Sequence, residues 1–497
     1  MGLTAESTLL VASLGRATNA ALIEAARLVD GRIPAVEVRL DALVEAPDLP
    51  ALREAFRGRT LLATLRSRDE GGRFGGTEAA AAALLGAALD AGFDLVDVEL
   101  ARAGEGLFGF PGERVVVSAH DVAGLPDDLE ERSARMLGTC ARYVKVVAMT
   151  RGLDDALRAL RLQASGERGR FAAFGMGEAG LVTRVLSPYL GAALSFGAAL
   201  PGEATAPGQL LAADLLDVYA VGRPRRVDDL FALLGSRVSH SFSPAIHNAV
   251  FESTGSGALY VPVALESLRE ELPRLREALA GLGVPLRGAS VTIPFKEGAS
   301  ALAGGPAGSV ANTLLFGTDG AVTGANTDRD ALLGAIPRAP ESGAALVLGA
   351  GGMARAAVEA LRDRGWSVDV AARSPERAAA LAAACGVRAI SNPAASGLPY
   401  GVIVNATPLG LDASDPLPCD AALLSSGVLA VDAPYRPGGT AFSHEAIRRG
   451  ARLVDGFTLL LSQAVGQSAL FTGRQADAAT LAARLPARIR SLFEVNP

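Results

Sequence analysis

Short apolar runs alternate with amphipathic segments through the first half of the chain. The apolar runs, rich in β-branched residues, lie at residues 8–13, 35–40, 60–65, 94–100, 114–119, 143–148, 170–174 and 192–196. Segments with helical spacing separate most of them, at residues 51–56, 78–91, 129–137 and 153–164. Eight strands that alternate with helices predict a closed β/α barrel built on a parallel sheet. A doubly wound open sheet would show the same periodicity, so the pattern alone leaves closure open.

The second half contains a glycine-rich turn in a strand–turn–helix setting. The apolar strand at residues 345–348 precedes Gly349, Ala350, Gly351, Gly352, Met353 and Ala354, and a predicted helix follows at residues 355–362. This G-x-G-x-x-A pattern predicts a Rossmann-type dinucleotide site, where the helix N-terminus receives the pyrophosphate. No acidic residue ends the next strand, at residues 368–371. Arg373 and Arg377 stand there instead, which favours the 2′-phosphate of NADP over NAD.

Composition restricts the partners that we expect. The chain of 497 residues is 49% hydrophobic and 20% charged, which is typical of a globular protein with large cores. Its net charge of −6 gives no electrostatic reason to expect nucleic-acid or anionic-membrane binding. The apolar runs are too short to span a bilayer, and we expect no signal peptide. Three scattered cysteines predict neither disulfides nor structural zinc, so we expect a cytoplasmic protein without metal.

Lysine is rare in this chain, with Lys145 and Lys296 as the two examples among 47 lysines and arginines. Because arginine stays protonated, these lysines are candidates for imine formation or proton transfer, with leftover surface charge as the alternative. Lys145 lies in the apolar run at residues 143–148, where an unpaired ammonium is costly to bury. His120 ends the preceding run and is a candidate general base, although a lone histidine is more often a packing residue.

Further polar groups precede the glycine-rich turn. Residues 222–226 predict a short linker, because proline and charge interrupt the periodicity there. Beyond it, Ser241 and Ser243 would share one face of an extended segment and offer two hydroxyl donors to one anion, although such serines also cap helices. Lys296 and Asp328 suit proton exchange with a substrate hydroxyl, provided that the fold brings them together.

Five motifs of the first half occur in a distinctive order: residues 36–41, residues 64–67 with Glu70-Gly71-Gly72, residues 118–121, residues 145–148 and residues 206–209. Together they resemble type I 3-dehydroquinate dehydratase. The resemblance implies metal-free dehydration of 3-dehydroquinate to 3-dehydroshikimate through an imine on Lys145. His120 would take the C2 proton, Glu99 would orient His120, and Arg184 would pair with the substrate carboxylate. The resemblance also implies substrate-binding roles for Glu37, Arg39, Arg66, Ser195, Thr205 and Gln209.

The motifs of the second half are Ser-x-Ser-Pro at residues 241–244, residues 291–296, residues 311–313, residues 326–328, residues 405–410 and residues 456–458. They resemble shikimate dehydrogenase. The resemblance implies NADP-dependent reduction of 3-dehydroshikimate to shikimate, with Lys296 and Asp328 as the acid/base pair. It places substrate binding at Ser241, Ser243, Thr292, Asn312, Asn326, Tyr435 and Gln463. It places cofactor binding at Gly349, Ala350, Gly351, Gly352, Met353, Ala354, Arg373, Arg377, Asn405, Thr407 and Gly456.

The sequence therefore predicts a (β/α)8 barrel fused to a two-lobed α/β dehydrogenase with a Rossmann-type cofactor domain. The expected bounds are 1–221 for the barrel, 226–335 completed by 457–497 for the substrate domain, and 336–456 for the NADP domain. The expected function is a bifunctional shikimate-pathway enzyme acting on small molecules, with the oligomeric state left open. A catabolic quinate/shikimate pairing is one alternative. A ligand-sensing regulator is another, but it should have lost the chemical residues and gained a basic DNA-binding segment.

Overall fold

The computed structural model describes residues 3–391, 393 and 398–491. The chain forms two compact units, one made of Met1–Ser241 and Gly257–Leu286, the other of Phe242–Ser256 and Arg287–Pro497. The domain bounds given above stay a prediction, because these units divide the chain differently. The last residues of the predicted substrate domain, 492–497, lie outside the described residues. Within the described residues, no helix combines the length and the apolarity needed to cross a bilayer.

Eight parallel strands form the sheet of the barrel. They are β1 (Leu9–Leu14), β2 (Ala35–Arg39), β3 (Thr60–Thr64), β4 (Leu95–Glu99), β5 (Val115–Asp121), β6 (Tyr143–Met149), β7 (Phe171–Met176) and β8 (Leu194–Ala198). Their order in the sheet is β7-β6-β5-β4-β3-β2-β1-β8. The Ala193 N–H donates to the carbonyl oxygen of Phe171 at 2.9 Å, which links the starts of the two edge strands. The predicted barrel is confirmed, and the sequential order excludes a doubly wound sheet, in which the strand order reverses.

The helices of the first unit follow the barrel strands in turn. They are α1 (Asn19–Ala26), α2 (Leu49–Ala55), α3 (Glu78–Asp90), α4 (Leu100–Ala103), α5 (Leu129–Leu137), α6 (Leu153–Ser165), α7 (Leu181–Tyr189) and α8 (Ala212–Asp217). Every strand contributes to one buried interior cluster, through Val11, Ala35, Leu62, Leu95, Val116, Val147, Ala172 and Leu194. This apolar filling occupies the barrel interior, which leaves the carboxyl ends of the strands for polar side chains.

The first unit continues beyond the barrel. A two-residue strand at Leu3–Thr4 pairs antiparallel with Arg226–Val227. After it, β9 (Asp229–Gly235) and β10 (Ala258–Ala264) pair in parallel, and α10 (Leu268–Gly281) follows. These residues place the turn that leaves β9 in the same compact unit as the barrel.

The second unit begins with α9 (Ser243–Ser253) and an antiparallel group of strands. That group consists of β11 (Leu286–Val291), β12 (Thr313–Phe316) and β13 (Val322–Ala325). Two helices flank it in sequence, α11 (Lys296–Leu302) and α12 (Thr327–Ala335). Three more helices end the described chain, α16 (Gly456–Thr472), α17 (Ala478–Arg484) and α18 (Ala487–Arg490).

A six-stranded parallel sheet occupies residues 344–454. Its strands are β14 (Ala344–Leu348), β15 (Ser367–Ala371), β16 (Arg388–Ala389), β17 (Tyr400–Asn405), β18 (Leu429–Asp432) and β19 (Arg452–Val454), in the order β16-β15-β14-β17-β18-β19. The connecting helices are α13 (Gly352–Asp363), α14 (Pro375–Cys385) and α15 (Ala441–Arg448). The order reverses beside β14, and ligands of doubly wound sheets bind at such a switch point. The predicted Rossmann-type domain is therefore confirmed, with the glycine turn at the expected place.

Candidate active sites

Lys145 lies on β6 with its amine in the interior of the barrel, and 3% of the residue is exposed. Its Nζ donates to Asp97 Oδ2 at 2.7 Å and lies 3.7 Å from Glu37 Oε1. The face of the Phe196 ring lies 4.4 Å away, at cation–π distance. The ammonium is therefore compensated by two carboxylates. The sequence had indicated only the apolar part of this environment.

His120 lies near the end of β5 and lines the same cavity of the barrel as Lys145. Its Nδ1 is 2.9 Å from Glu70 Oε2, and its backbone N–H donates to the same oxygen at 3.1 Å. Burial lowers the pKa of His120 well below 6.5, and the positive charges of Arg66 and Lys145 lower it further. The imidazole is consequently neutral near physiological pH and can accept a proton.

The structure corrects the predicted hydrogen-bond partner of His120. The sequence analysis named Glu99, whereas His120 bonds to Glu70. Glu99 Oε1 instead accepts hydrogen bonds from Arg66 Nη1 at 3.0 Å and from the Ser67 N–H at 2.8 Å. The turn after β3 folds back on itself and brings Glu70 to His120. The run Glu70-Gly71-Gly72 could have indicated this turn, because only glycine fits at position 72. A Cβ there would lie 2.1 Å from the carbonyl oxygen of Arg66.

Arg66 connects the carboxylates of this site. It donates to Glu70 at 2.9 Å, to Glu99 at 3.0 Å and to Asp97 at 2.8 Å. Burial alone would raise the pKa of Asp97, but Arg66 and Lys145 hold it at about 2. Burial raises the pKa of Glu70 to about 8, which Arg66 opposes and the charges of Glu99 and Asp97 reinforce. Asp97 therefore stays ionised as a counter-ion, whereas Glu70 can exchange a proton near neutral pH.

Most of the predicted dehydratase residues line one cavity. They are Lys145, His120, Glu37, Arg39, Arg66, Arg184, Thr205 and Gln209. Ser195 does not line it, which is a second correction. Alternate residues of a strand face opposite sides, and its neighbours Leu194 and Phe196 pack in the interior cluster. Ser13 on β1 was missed: it lines the cavity, and its buried Oγ has no hydrogen-bond partner among the described residues.

Arg184 brings a positive charge to the cavity wall. Its guanidinium lies 5.1 Å from the centre of the Phe174 ring, and burial lowers its pKa to about 10. The Nη2 atom donates to the Pro207 carbonyl oxygen at 3.3 Å, and the buried Nε has no partner within the described residues. Thr205 and Gln209 are bonded to each other nearby, with 2.7 Å between Thr205 N and Gln209 Oε1. A buried, incompletely bonded guanidinium suits a carboxylate ligand.

Hydrogen bonds with neighbouring side chains hold two further substrate-binding candidates of the barrel, Glu37 and Arg39. Glu37 Oε1 accepts from Thr64 Oγ1 at 2.8 Å. Arg39 makes two hydrogen bonds to the carboxylate of Asp41, each 2.8 Å long. Both side chains are thereby fixed in orientation at the cavity wall.

Lys296 and Asp328, which the sequence analysis offered as a proton-exchange pair, meet in the second unit. Lys296 opens α11 and Asp328 lies in the first turn of α12. Their Nζ and Oδ2 atoms are 2.5 Å apart, and the side chains are 19% and 10% exposed. The pair is thus tightly bonded yet reachable by solvent, which suits proton exchange with a bound oxygen.

Several predicted substrate residues surround the start of α12. Asn312 Oδ1 accepts from the Thr327 N–H at 2.9 Å, and Thr327 Oγ1 lies 3.4 Å from Gln463 Oε1. The buried Oδ1 of Asn326 has no hydrogen-bond partner within the described ranges. Thr292 is half-buried in the segment after β11. Asn312, Asn326 and Gln463 thus place amide groups around the start of the helix that carries Asp328.

Gln467 and His247 were not predicted. Gln467 Nε2 donates to the Asn312 carbonyl oxygen at 3.0 Å, and its Oε1 accepts from Ser290 at 2.7 Å. His247 Nε2 lies 3.1 Å from the same Oε1 atom. The available signal was spacing, because Gln463 and Gln467 are four positions apart on α16 and share a helix face.

The serine pair and Tyr435 are placed by local structure. Ser241 lies in the turn after β9, where its N–H donates to the Val238 carbonyl oxygen at 3.2 Å. Ser243 is buried at the start of α9. The expectation of an extended segment is corrected, since a turn and a helix start carry the two hydroxyls. The Tyr435 ring lies 6.2 Å from that of Phe242 and packs on the α9–α16 core.

The glycine turn after β14 forms a cradle. Gly349 has a φ of +116°, and a Cβ there would lie 2.7 Å from the Ala406 carbonyl oxygen. A Cβ on Gly351 would meet nothing within 4 Å, so the turn presents open backbone at the start of α13. Ala350, Gly351 and Gly352 line a cleft together with Lys296 and Arg377. The turn can therefore hold a pyrophosphate beside Lys296.

The other cofactor candidates differ in what they contact. Arg373 is exposed, so its charge is available to a phosphate. Ala354 is buried in the core beneath the turn, and the partly buried Met353 packs against that core, so their predicted cofactor contacts stay a prediction. Asn405 Oδ1 accepts from Thr407 Oγ1 at 2.7 Å, which shapes the turn after β17. A Cβ on Gly456 would lie 2.2 Å from the Pro434 carbonyl oxygen, so that position tolerates only glycine.

Comparison with known proteins agrees with this two-site arrangement. The model for type I 3-dehydroquinase matches residues 10–223, and the model for the shikimate dehydrogenase substrate binding domain matches residues 233–310. The bifunctional 3-dehydroquinate dehydratase/shikimate dehydrogenase, chloroplastic, of Arabidopsis thaliana is 31% identical over 477 residues, covering 88% of this chain and 77% of that protein. This chain belongs to the bifunctional dehydratase/dehydrogenase family. The expected bifunctional character of the enzyme is confirmed.

Further relatives of this bifunctional dehydratase/dehydrogenase match its second half. The shikimate dehydrogenase (NADP(+)) of Rubrobacter xylanophilus is 40% identical over 266 residues, covering 50% of this chain and 92% of the relative. The shikimate 5-dehydrogenase of Thermus thermophilus, solved with NADP(H) and shikimate, is 36% identical. The match covers 52% of this chain and 99% of that one, with a TM-score of 0.45.

Proposed function

We propose that Lys145 forms the imine of the dehydratase reaction and that His120 moves the protons. The supporting observation is that the buried amine and the neutral imidazole line one cavity, with carboxylates on both. The amine of Lys145 would condense with the C3 ketone of 3-dehydroquinate and release water. The imine withdraws electrons and acidifies the C2 hydrogen, which His120 removes. His120 then protonates the departing C1 hydroxyl, and hydrolysis of the imine restores Lys145.

The remaining barrel residues take supporting roles in this proposal. Glu70, in place of the predicted Glu99, orients His120 through Nδ1. Asp97 keeps the charge of Lys145 balanced. Arg184 binds the substrate carboxylate, because its buried guanidinium is incompletely bonded. The substrate hydroxyls are bound by Glu37, Arg39, Arg66, Thr205 and Gln209.

In the second half, Lys296 and Asp328 exchange the proton at the reacting oxygen of 3-dehydroshikimate. The pair is already hydrogen-bonded, so a proton can move between them and a bound hydroxyl without rearrangement. The carboxylate of the substrate goes to Ser241 and Ser243. Its ring hydroxyls go to Thr292, Asn312, Asn326 and Gln463, with Tyr435 as a further contact.

NADP(H) fits the cradle after β14. Gly349 and Gly351 leave backbone exposed to a pyrophosphate, and Arg373 with Arg377 offers positive charge to a 2′-phosphate. When bound, the cofactor supplies or accepts the hydride. Lys296 lines the same cleft as the glycine turn, so the proton donor stands close to the place of hydride transfer. The absence of a metal stays a prediction.

The cytoplasm remains our proposed location. Cys140, Cys385 and Cys419 are all free of disulfide bonds, which fits a reducing compartment. The expected domain bounds, with a barrel to residue 221 and an NADP domain at residues 336–456, also stand as proposals. Separate refolding of fragments cut at those bounds would test them.

A coupled assay tests both activities at once. The purified protein, given only 3-dehydroquinate and NADPH, should produce shikimate and consume NADPH. Lys145→Ala should abolish that conversion but still reduce added 3-dehydroshikimate, whereas Lys296→Ala should dehydrate normally and fail to reduce. Borohydride with 3-dehydroquinate should trap a covalent adduct on Lys145, detected by mass spectrometry. Normal dehydration by Lys145→Ala would refute the imine, and faster turnover of quinate than shikimate would overturn the substrate assignment.

A further inference from the structure

Glu178 lies in the turn between β7 and α7, two positions after Met176 of the dehydratase cavity. Its carboxylate serves another part of the first unit. One oxygen, Oε1, accepts hydrogen bonds from the N–H of Val238 at 2.6 Å and from the N–H of Ser239 at 2.9 Å. These amides belong to the turn after β9, far along the chain from the barrel. A residue of the dehydratase barrel thus holds a turn that belongs to the dehydrogenase part of the sequence.

The turn after β9 lies partly at the surface of the first unit. Val238 is buried, whereas Ser239 and His240 are exposed. The Ser241 N–H donates back to the Val238 carbonyl oxygen and closes the turn at 3.2 Å. Two successive amides that converge on one carboxylate oxygen are charge-assisted hydrogen bonds, which are stronger than neutral ones. Glu178 is therefore well placed to set the backbone conformation that presents Ser241.

We propose that Glu178 is a positioning residue for the dehydrogenase reaction, acting through the turn that carries Ser241. The inference rests on the proposed function, in which Ser241 binds the carboxylate of shikimate. The Glu178 carboxylate comes from the barrel, and the turn that it holds lies in the same compact unit. The effect is on binding, because Ser241 contacts a part of the substrate that does not react.

The Glu178 side chain can be removed without disturbing the dehydratase cavity. Backbone hydrogen bonds hold its own turn: Gly177 N–H donates to Pro207 at 3.1 Å, and Gly180 N–H donates to Gly177 at 3.2 Å. Thr183 Oγ1 accepts from the Gly175 N–H at 2.7 Å. None of these bonds uses the Glu178 carboxylate. The dehydratase activity therefore provides an internal reference for every Glu178 variant.

Steady-state kinetics of full-length Glu178→Ala and Glu178→Gln test the proposal. For Glu178→Ala we expect the KM for shikimate to rise about tenfold, the scale of one lost charge-assisted hydrogen bond, with kcat nearly unchanged. Glu178→Gln keeps an acceptor oxygen and should show a smaller rise. The dehydratase kcat/KM and the KM for NADP+ should stay at the wild-type values. The matched control is Asp154→Asn, which removes an exposed barrel carboxylate bonded to Arg274 at 2.7 Å and should change neither KM.

A double-mutant cycle with Ser241→Ala separates the possible failures. Ser241→Ala alone should raise the KM for shikimate, and adding Glu178→Ala should raise it little further, because both act through one contact. An unchanged KM in Ser241→Ala would mean that the proposed role of Ser241 is wrong. A raised KM in Ser241→Ala with an unchanged KM in Glu178→Ala would overturn this inference alone. A parallel loss of both activities and of thermal stability in Glu178→Ala would also overturn it, since that result indicates a general folding role.

Discussion

The exchange of Glu70 for Gln tests the dehydratase site most sharply, because the structure assigns to Glu70 a role that the sequence had given to Glu99. Glu70 Oε2 is the shared acceptor for His120 Nδ1 at 2.9 Å, for the His120 N–H at 3.1 Å and for Arg66 at 2.9 Å. At a pH above 8, where Glu70 is ionised, Gln keeps the shape but removes the negative charge of the acceptor in all three bonds. Hydrogen bonds to charged groups contribute about 1.5–3 kcal/mol and neutral ones about 0.5–1.5 kcal/mol.

That difference, about 1–2 kcal/mol at the transition state, corresponds to a fall in the dehydration kcat of about fivefold to thirtyfold. The fall should stay below the ~10²–10⁴-fold that general acid–base catalysis contributes as a whole, because His120 itself remains. The matched control is Glu99→Gln. In this variant the remaining side-chain oxygen can stand where Glu99 Oε1 accepts its two hydrogen bonds. The new amide group then replaces Glu99 Oε2, which has no hydrogen-bond partner among the described residues. We expect its kcat to stay close to that of the wild type.

The assay is the initial rate of 3-dehydroshikimate formation at a pH above 8, where Glu70 is ionised, followed by ultraviolet absorbance. Borohydride trapping should still label Lys145 in Glu70→Gln, since imine formation does not use Glu70. A wild-type kcat in Glu70→Gln, or an equal loss in Glu99→Gln, would refute the assignment.

Stability offers a second check. Because burial raises the pKa of Glu70 to about 8, its contribution to folding is present below pH 4.5 and is lost as the pH rises through 8. Glu70→Gln should therefore lose less stability than the wild type as the pH rises from about 4.5 to about 8.

Two further predictions concern the second unit. Arg373→Ala should raise the KM for NADP+ at least about tenfold and leave the KM for NAD+ unchanged, because only the 2′-phosphate meets the lost charge; equal effects on both cofactors would contradict this. Burial lowers the pKa of His247 to about 3, which its hydrogen bond to Gln467 partly opposes. The folded state therefore favours the neutral imidazole, so stability is full above pH 6.5 and should fall by about 1.4 kcal/mol per pH unit between pH 6.5 and about pH 3. Denaturant titrations of the wild type and His247→Gln should differ in that slope, and identical slopes would exclude His247 as the cause.

The local pattern of apolar and polar residues was sufficient to predict the architecture. The alternation of β-branched runs and amphipathic segments depends on residues close in the chain, and it predicted eight barrel strands that all exist. The glycine turn was equally visible, because Gly349 must adopt a positive φ whatever surrounds it. Lys145 and Lys296 stood out because a titratable amine cannot be replaced by arginine.

The pairing of charged groups was not predictable in the same way. Asp97 and Lys145 lie on β4 and β6, two strands apart, and their contact depends on the registers of both with β5. The predicted substrate-binding role of Ser195 was wrong for a related reason. A shift of one residue along a strand moves a side chain to the opposite face of the sheet. Glu178 gave no signal, because its partners are backbone amides, which every sequence contains.

The sequence by itself determined the kinds of chemistry present: an amine in an apolar run, an imidazole one strand before it, and a glycine turn for a dinucleotide. Only the tertiary structure decided which carboxylate meets which base. Glu70 and Glu99 are alike as residues, and the closing of the turn after β3 gives one to His120 and the other to Ser67. The physical reason is range: periodicity is set by neighbours in the chain, whereas hydrogen bonds and ion pairs act over about 3 Å between residues that folding brings together.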